Sequence, residues 1–210
     1  MQQGLPMQHG LLVVLSGPSG VGKGRIRAAL VEEMPELVYA VSVTTRAPRP
    51  GEVNGVHYWF IDEAEFSRRR QQGEFVEWAR VYGHWYGTPG PALRQLLGEG
   101  RTVIMEKDVQ GARTLRGVFP EGVFIFISPP STAELWRRQE KRGTETAAEI
   151  SLRRQAARAE LAEACWYDYV VVNDNLAEAV EKVRAIILAE HCRVKRCLQE
   201  VCSALKRGDS

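Results

Sequence analysis

Leu11-Leu12-Val13-Val14-Leu15-Ser16 runs directly into Gly17-Pro18-Ser19-Gly20-Val21-Gly22-Lys23, and residues 25–34 then carry helical character. Strand, glycine-rich loop and helix in that order form a phosphate cradle. The buried strand fixes the start of the loop, the glycines let backbone N–H groups close around phosphate oxygens, and the new helix turns its positive end toward them. Lys23 then reaches the β- and γ-phosphates of a nucleotide, which makes Gly17, Pro18, Ser19, Gly20, Val21, Gly22, Lys23, Gly24 and Arg25 the candidate triphosphate site. The usual pattern continues with Ser or Thr, whose hydroxyl ligates Mg²⁺, whereas Gly24 and Arg25 follow here. Mg²⁺ keeps several waters and is held largely by the substrate's phosphates, so the departure predicts weaker metal ordering and not lost binding. Arg25 has two readings: a solvated first-turn residue, or a phosphate contact, since a cation near a helix N-terminus is unfavourable unless an anion lies close.

The remaining chain is that of an ordinary globular protein. Its 210 residues are 44% hydrophobic and 26% charged, enough for one substantial core with inserted lobes. A net charge of +2 gives no ground for a nucleic-acid or membrane partner. No apolar run approaches the roughly 18 residues that cross a bilayer, and no leader pattern is present, so a cytoplasmic protein is expected. Cys165, Cys192, Cys197 and Cys202 fall in the last quarter, where disulfides are not expected in a reducing compartment. His191 beside evenly spaced cysteines raises zinc. A five-residue step turns about 140° around a helix, however, and spreads the thiols over different faces.

Candidate strands at residues 11–16, 38–43, 102–105, 123–127 and 169–172 alternate with helical segments, the pattern of a mostly parallel α/β sheet. Residues 57–61, 74–82 and 85–87 are short, aromatic and broken by turn residues, and they predict a small, mostly antiparallel insert. Residues 131–165 carry Arg137, Arg138, Lys141, Arg142, Arg153, Arg154 and Arg158 on two helical stretches hinged near Gly143, a candidate basic lid. A last helix is predicted over residues 176–207, with a solvated basic end.

Between the second strand and the insert, Ser42-Val43-Thr44-Thr45-Arg46-Ala47-Pro48-Arg49-Pro50-Gly51-Glu52 places two arginines in a proline-stiffened loop suited to gripping phosphate bidentately. With this loop and the phosphate cradle, the chain resembles guanylate kinases from about residue 10 to residue 196. Further matching segments are Gly55-Val56-His57-Tyr58-Trp59-Phe60, Phe75-Val76-Glu77-Trp78-Ala79, Tyr86-Gly87-Thr88, Asp108-Val109-Gln110-Gly111-Ala112, Arg142-Gly143-Thr144-Glu145 and residues 167–174.

The resemblance implies an α/β fold: a P-loop parallel-sheet core with helices on both faces, a small mixed β insert that binds GMP, and a helical lid. The expected boundaries are a disordered lead-in at 1–9, a guanylate kinase-like domain at 10–196, and a C-terminal helix end and tail at 197–210. Within the domain the core would comprise 10–41, 93–130 and 159–196, the insert 42–92 and the lid 131–158. Implied substrates are ATP and GMP, with Mg²⁺ as cofactor, in a monomer or homodimer. The GMP site would be Ser42, Arg46, Arg49, Tyr58, Glu77, Tyr86, Thr88 and Asp108. Guanine offers acceptors at O6 and N7, to which Ser42 and Thr88 can donate, and N–H donors at N1 and N2, which Glu77 and Asp108 can accept. Arg46, Arg49 and Tyr58 would hold the monophosphate. Lys23, Arg46, Arg138, Arg142 and Arg153 would stabilise the transferred group, Asn173 would lie near the adenine, and Glu106 and Asp108 are candidates to steady Mg²⁺ through water.

Two departures from the family stand out. Glu106-Lys107-Asp108 has lysine where an apolar strand residue is usual, and alternation turns it away from the side shared by Glu106 and Asp108, where it needs a partner if covered. Gln139 and Arg154 replace leucines, which predicts looser lid packing. Two alternatives compete with a guanylate kinase: a non-catalytic interaction module of the same fold, disfavoured by the intact glycine frame around Lys23, and a P-loop kinase for a sugar phosphate, disfavoured by Glu77, Thr88 and Asp108 together.

Overall fold

The computed structural model describes residues 10–81, 83–140 and 147–197, without the side chains of 147–153. Its centre is β1 (Leu12–Ser16), all five of whose residues are buried. Two parallel strands flank it, β7 (Thr102–Glu106) and β8 (Val123–Ser128), with β2 (Leu37–Tyr39) outside β7 and β9 (Tyr169–Val172) outside β8. The order β2-β7-β1-β8-β9 is parallel throughout.

Side-chain alternation along β1 divides the core into two layers. Val13 and Leu15 face Ile26 and Leu30 of α1 (Lys23–Glu33) and Val183 and Ile187 of α7 (Leu176–His191). Leu12 and Val14 face the other way, toward Leu93 of α3 (Gly90–Gly98) and Leu115 of α4 (Val109–Val118). A parallel sheet is stable only when both faces are covered, and this one has helices on both.

The predicted strand over 38–43 divides between two sheets. β2 ends at Tyr39 in the core, and β3 (Val43–Thr44) begins a second sheet with β4 (Trp59–Phe60), β5 (Phe75–Val81) and β6 (His84–Pro89) in the order β4-β3-β6-β5. The pairing changes because Ala40 still donates its N–H to Ile104 of the core, while the Ser42 carbonyl already accepts from Trp59. Two of the three pairings in this sheet are antiparallel and β3–β4 is parallel. Between β4 and β5, α2 (Glu63–Gln71) is capped by Asp62, which accepts from Glu65 N–H at 2.7 Å. Its buried Phe66 stacks on Phe75, ring centroids 4.7 Å apart.

α5 (Thr132–Glu140) and α6 (Ala147–Ala162) follow β8, and a 3₁₀ turn at Glu163–Trp166 leads into β9. The last helix is shorter than the sequence predicts. α7 ends at His191, and the chain turns so that Lys195 pairs with the Glu121 carboxylate and Arg196 Nη2 donates to the Glu121 carbonyl at 2.8 Å. Those two cations therefore tie the segment after α7 to the turn before β8, where a solvated helix end was expected. Residues 198–210, Cys202 among them, lie outside the described residues. Among the described residues, no helix is long and apolar enough to cross a membrane.

Candidate active site

The phosphate loop leaves the C-terminal end of the central strand, where open parallel sheets bind their ligands. Gly17 (φ 132°) and Gly22 (φ 99°) hold backbone conformations that other residues rarely adopt. The space is also closed: a Cβ on Gly17 would stand 2.2 Å from the Ile127 carbonyl oxygen, and one on Gly22 would stand 2.5 Å from Asn173 Nδ2. Lys23 Nζ donates to the Gly17 and Pro18 carbonyls at 2.5 and 3.2 Å, so the ammonium curls back over the loop it serves.

Two buried side chains brace this loop from outside. Asn173 Nδ2 donates to the Val21 carbonyl at 2.8 Å, and Gln139 Nε2 donates to the Ser19 carbonyl at 2.6 Å. Gln139 therefore links α5 directly to the phosphate loop, and Arg154 pairs with Glu140 while lying 5.5 Å over the Trp136 ring. The two departures from leucine thus add polar ties where looser packing was expected. Asn173, expected near the adenine, serves as a brace while also lining the cleft.

Facing the loop, the proline-stiffened segment forms a guanidinium cluster. Arg46 Nη2 donates to both Glu52 oxygens at 2.8 and 2.9 Å and Nη1 donates to the Ala47 carbonyl at 2.7 Å. Burial alone would lower the Arg46 pKa, but hydrogen bonds to Glu52 and Tyr86 raise it. Burial opposes ionisation of Glu52 too, yet the Arg49 backbone N–H and the Arg46 fork hold its carboxyl below the usual range. Tyr58 lies beneath Arg46, its ring centroid 5.6 Å from the guanidinium carbon, and its hydroxyl is pushed up to about 12, first by burial and then by the charge of Glu106. Tyr86 packs edge-on against Tyr58 at 5.9 Å. Glu52 had no role in the sequence reading. Its signal was an acid three residues beyond Arg49, closing a Pro-Gly turn.

One cleft of ≈ 850 Å³ joins these parts. Its walls include Lys23, Arg25, Arg49, Tyr58, Glu106 and Arg138. Arg138 is oriented by α5 and β9: Nε donates to Glu134 at 2.6 Å and Nη1 donates to the Asn173 carbonyl at 3.0 Å. The Glu134 carboxyl is held down at about 2 by hydrogen bonds from Arg137 and Arg138. Arg25 is exposed at the rim. Arg142 and the side chain of Arg153 lie outside the described residues.

The set expected to read the base is buried. Ser42, Glu77 and Thr88 are 4%, 5% and 1% exposed, and Glu77 and Thr88 sit opposite each other on β5 and β6. Thr88 Oγ1 donates to Glu77 Oε1 at 2.5 Å. Lys107 joins them, contrary to expectation. Its ammonium donates to Glu77 Oε1 at 2.7 Å, to Ser42 Oγ at 2.9 Å and to Thr88 Oγ1. Strand alternation fails here because β7 stops at Glu106 and Asp108 already caps α4, accepting from Gly111 N–H at 2.8 Å. Asp108, Glu77 and Lys107 converge: a Cβ on Gly111 would meet Asp108 Oδ1, Glu77 Oε2 and Lys107 Cδ at 3.0, 3.1 and 3.4 Å. Lys107 thus shares a side with Asp108, and Glu106 points elsewhere.

Glu106 faces the phosphate loop. A Cβ on Gly24 would stand 3.6 and 3.7 Å from its two oxygens, and Arg27 Nε donates to Oε1 at 3.0 Å. One carboxylate beside the start of the phosphate-binding helix fits Mg²⁺, which takes one or two protein carboxylates and completes its shell with phosphate and water. Asp108 stands apart from it, beside Glu77 and Lys107. Among the described residues, no group of three or more His, Cys, Asp or Glu side chains could hold a metal ion by itself.

Comparison with known proteins agrees with this geometry. The family model for guanylate kinase matches residues 9–190. A guanylate kinase of Caldanaerobacter subterraneus subsp. tengcongensis is 52% identical over 189 residues, covering 90% of this chain and 92% of its own length. That of Bacillus subtilis is 50% identical over 190 residues, with 90% and 93% covered. The crystal structure of guanylate kinase from Anaplasma phagocytophilum superposes with a TM-score of 0.79 at 35% identity, covering 94% of this chain and 95% of its own. With a phosphate loop on the parallel-sheet core, an arginine–tyrosine clamp and a buried hydroxyl–carboxylate cluster carried by the second sheet and its flanking segments, and a family model spanning residues 9–190, the chain belongs to the guanylate kinase family.

Proposed function

We propose that the chain transfers the γ-phosphoryl group of ATP to GMP, giving ADP and GDP, as a cytoplasmic enzyme of purine nucleotide metabolism that recycles GMP. The observation that carries this reading is a cleft with Lys23 on one wall and Arg49 and Tyr58 on the other, since two phosphates held by those groups would face each other across it.

An oxygen of the GMP phosphate attacks the γ-phosphorus of ATP, the bond from that phosphorus to the β–γ bridging oxygen breaks, and ADP leaves with the electron pair. The second pKa of a phosphate monoester is about 6, so the acceptor is already ionised at neutral pH and no general base is needed. The protein's task is to bring two anions together in line and to stabilise charge on the moving group. Arg46, Arg49 and Tyr58 orient the acceptor. Lys23 and the loop N–H groups hold the donor, and Arg138 sits where charge develops. Arg142 and Arg153 belong to the same proposed set, and closure of the basic lid would exclude water and suppress hydrolysis. Glu106 would hold Mg²⁺ together with the nucleotide's phosphates, and the ion would supply charge neutralisation there.

Glu52 already pairs with Arg46 in the protein. The arriving phosphate shares or replaces that carboxylate on a guanidinium whose position is set in advance, which reduces the entropy lost on binding.

A coupled assay of ADP release with ATP and Mg²⁺ tests the reading, offering GMP, AMP, CMP, UMP and a sugar monophosphate in parallel. Release with GMP alone is expected. Release only with the sugar phosphate would move the acceptor, and silence throughout would support the interaction module.

A further inference from the structure

The base pocket contains a cation that phosphoryl transfer does not use. Lys107 is 7% exposed, and an ammonium has three donors, which here point at Ser42 Oγ, Thr88 Oγ1 and Glu77 Oε1. A buried ion pair is a poor source of stability, because the desolvation of both charges offsets most of their attraction. An apolar side chain would fill the same position without that cost.

The hydrogen-bond directions in the pocket define what the lysine can do. The Thr88 hydroxyl gives its proton to Glu77 and accepts from Lys107, so it has none left for a ligand. Of the two hydroxyls proposed to face guanine O6 and N7, only that of Ser42 keeps a proton to give. The side of the pocket that must meet two acceptors is therefore one donor short. The ammonium supplies it, lying within hydrogen-bond reach of both hydroxyls. It is already desolvated and already balanced by Glu77, so transferring one of its N–H bonds from a hydroxyl to a base oxygen adds a charge-assisted bond with little reorganisation. Adenine would present an amino group there, donor against donor, and the ammonium would gain no bond from it.

We propose that Lys107 is a specificity-determining residue that donates to the 6-oxo oxygen of the acceptor base. This rests on the reading of Ser42, Glu77, Thr88 and Asp108 as the guanine pocket.

The test compares kcat/KM for GMP with that for 6-thioguanosine monophosphate, which keeps the N1 and N2 hydrogens but replaces O6 by a weak acceptor. The protein should prefer GMP by about tenfold or more, the discrimination a hydrogen bond to a charged donor supplies. Lys107→Met should reduce that preference to about twofold, and Lys107→Gln, with a neutral donor, should fall between. If Lys107→Met does not fold, the Gln variant alone decides, by whether it narrows the preference. An oxo-over-thio preference unchanged in both variants overturns the role of Lys107. Glu77→Gln separates the two levels. Raised KM for GMP at constant KM for ATP keeps the pocket reading even when the lysine proposal fails, and a GMP KM indifferent to changes at both Glu77 and Lys107 overturns the pocket itself.

Discussion

Gly22 and Gly24 stand two residues apart at the start of α1, yet alanine should have opposite effects at the two positions. At Gly22 the backbone is left-handed, which costs an L-residue roughly 1–2 kcal/mol. The new methyl would also lie 2.5 Å from Asn173 Nδ2, and moving that amide breaks its bond to the Val21 carbonyl, costing about 1 kcal/mol more. Gly24 is helical, and its nearest neighbours, the Glu106 oxygens, would be 3.6 and 3.7 Å from an added Cβ, an ordinary contact. Alanine there should stabilise the helix by about 0.5–1 kcal/mol. The two variants should therefore differ by about 3 kcal/mol in urea unfolding at equal m-values, or by about 6–12 °C in melting temperature. Gly22→Ala should also raise the KM for ATP, because the loop N–H groups lose their brace. Equal stability of the two variants would refute the account of the loop, since it would mean that neither the left-handed backbone nor the Asn173 contact constrains it.

Gln139→Leu, which restores the side chain usual in the family, should lower stability by about 1 kcal/mol through loss of the bond to the Ser19 carbonyl, and should speed hydrogen exchange of the loop amides; unchanged exchange would show that α5 does not brace the loop. His191 lies 2.9 Å from Thr102 Oγ1, and burial followed by the charge of Arg196 lowers its pKa, with Glu36 opposing. Below about pH 6.5 the unfolded chain therefore binds this proton before the folded chain does. Stability should fall as pH drops from there toward the lowered folded pKa, and His191→Asn should flatten that part of the curve measured by urea melts; an unaltered slope would place the linkage elsewhere.

The braced loop and the cluster around Lys107 differ in how far they could be read in advance. The phosphate loop is legible because its mechanism is local: strand, glycines and lysine are contiguous, and each acts through its own backbone or its nearest neighbours. The parallel core is legible for the same reason, as uninterrupted apolar runs spaced by helices. The strand over 38–43 is not, because which sheet each half joins depends on partners at Ile104 and Trp59, distant in sequence.

Three polar groups of the site have partners that the sequence did not name. Glu52 pairs within its own loop, through the turn that brings it onto Arg46, whereas Gln139 and Lys107 find theirs elsewhere in the fold, and periodicity assigns such groups a face but no partner. Lys107 is the clearest case. Alternation places its side chain correctly only while the strand continues, and β7 ends one residue earlier, where Asp108 begins to cap α4. By itself the sequence determined the family, the parallel-sheet core and the glycine-rich loop, because these follow from short contiguous motifs, and through the family resemblance it pointed to the side chains proposed to bind phosphate and base. Only the tertiary structure decided how those side chains are engaged. Arg46 against Glu52 shows this within one loop, and the Lys107 ammonium among Ser42, Glu77 and Thr88 shows it across 65, 30 and 19 residues of chain, distances over which contacts arise from packing alone.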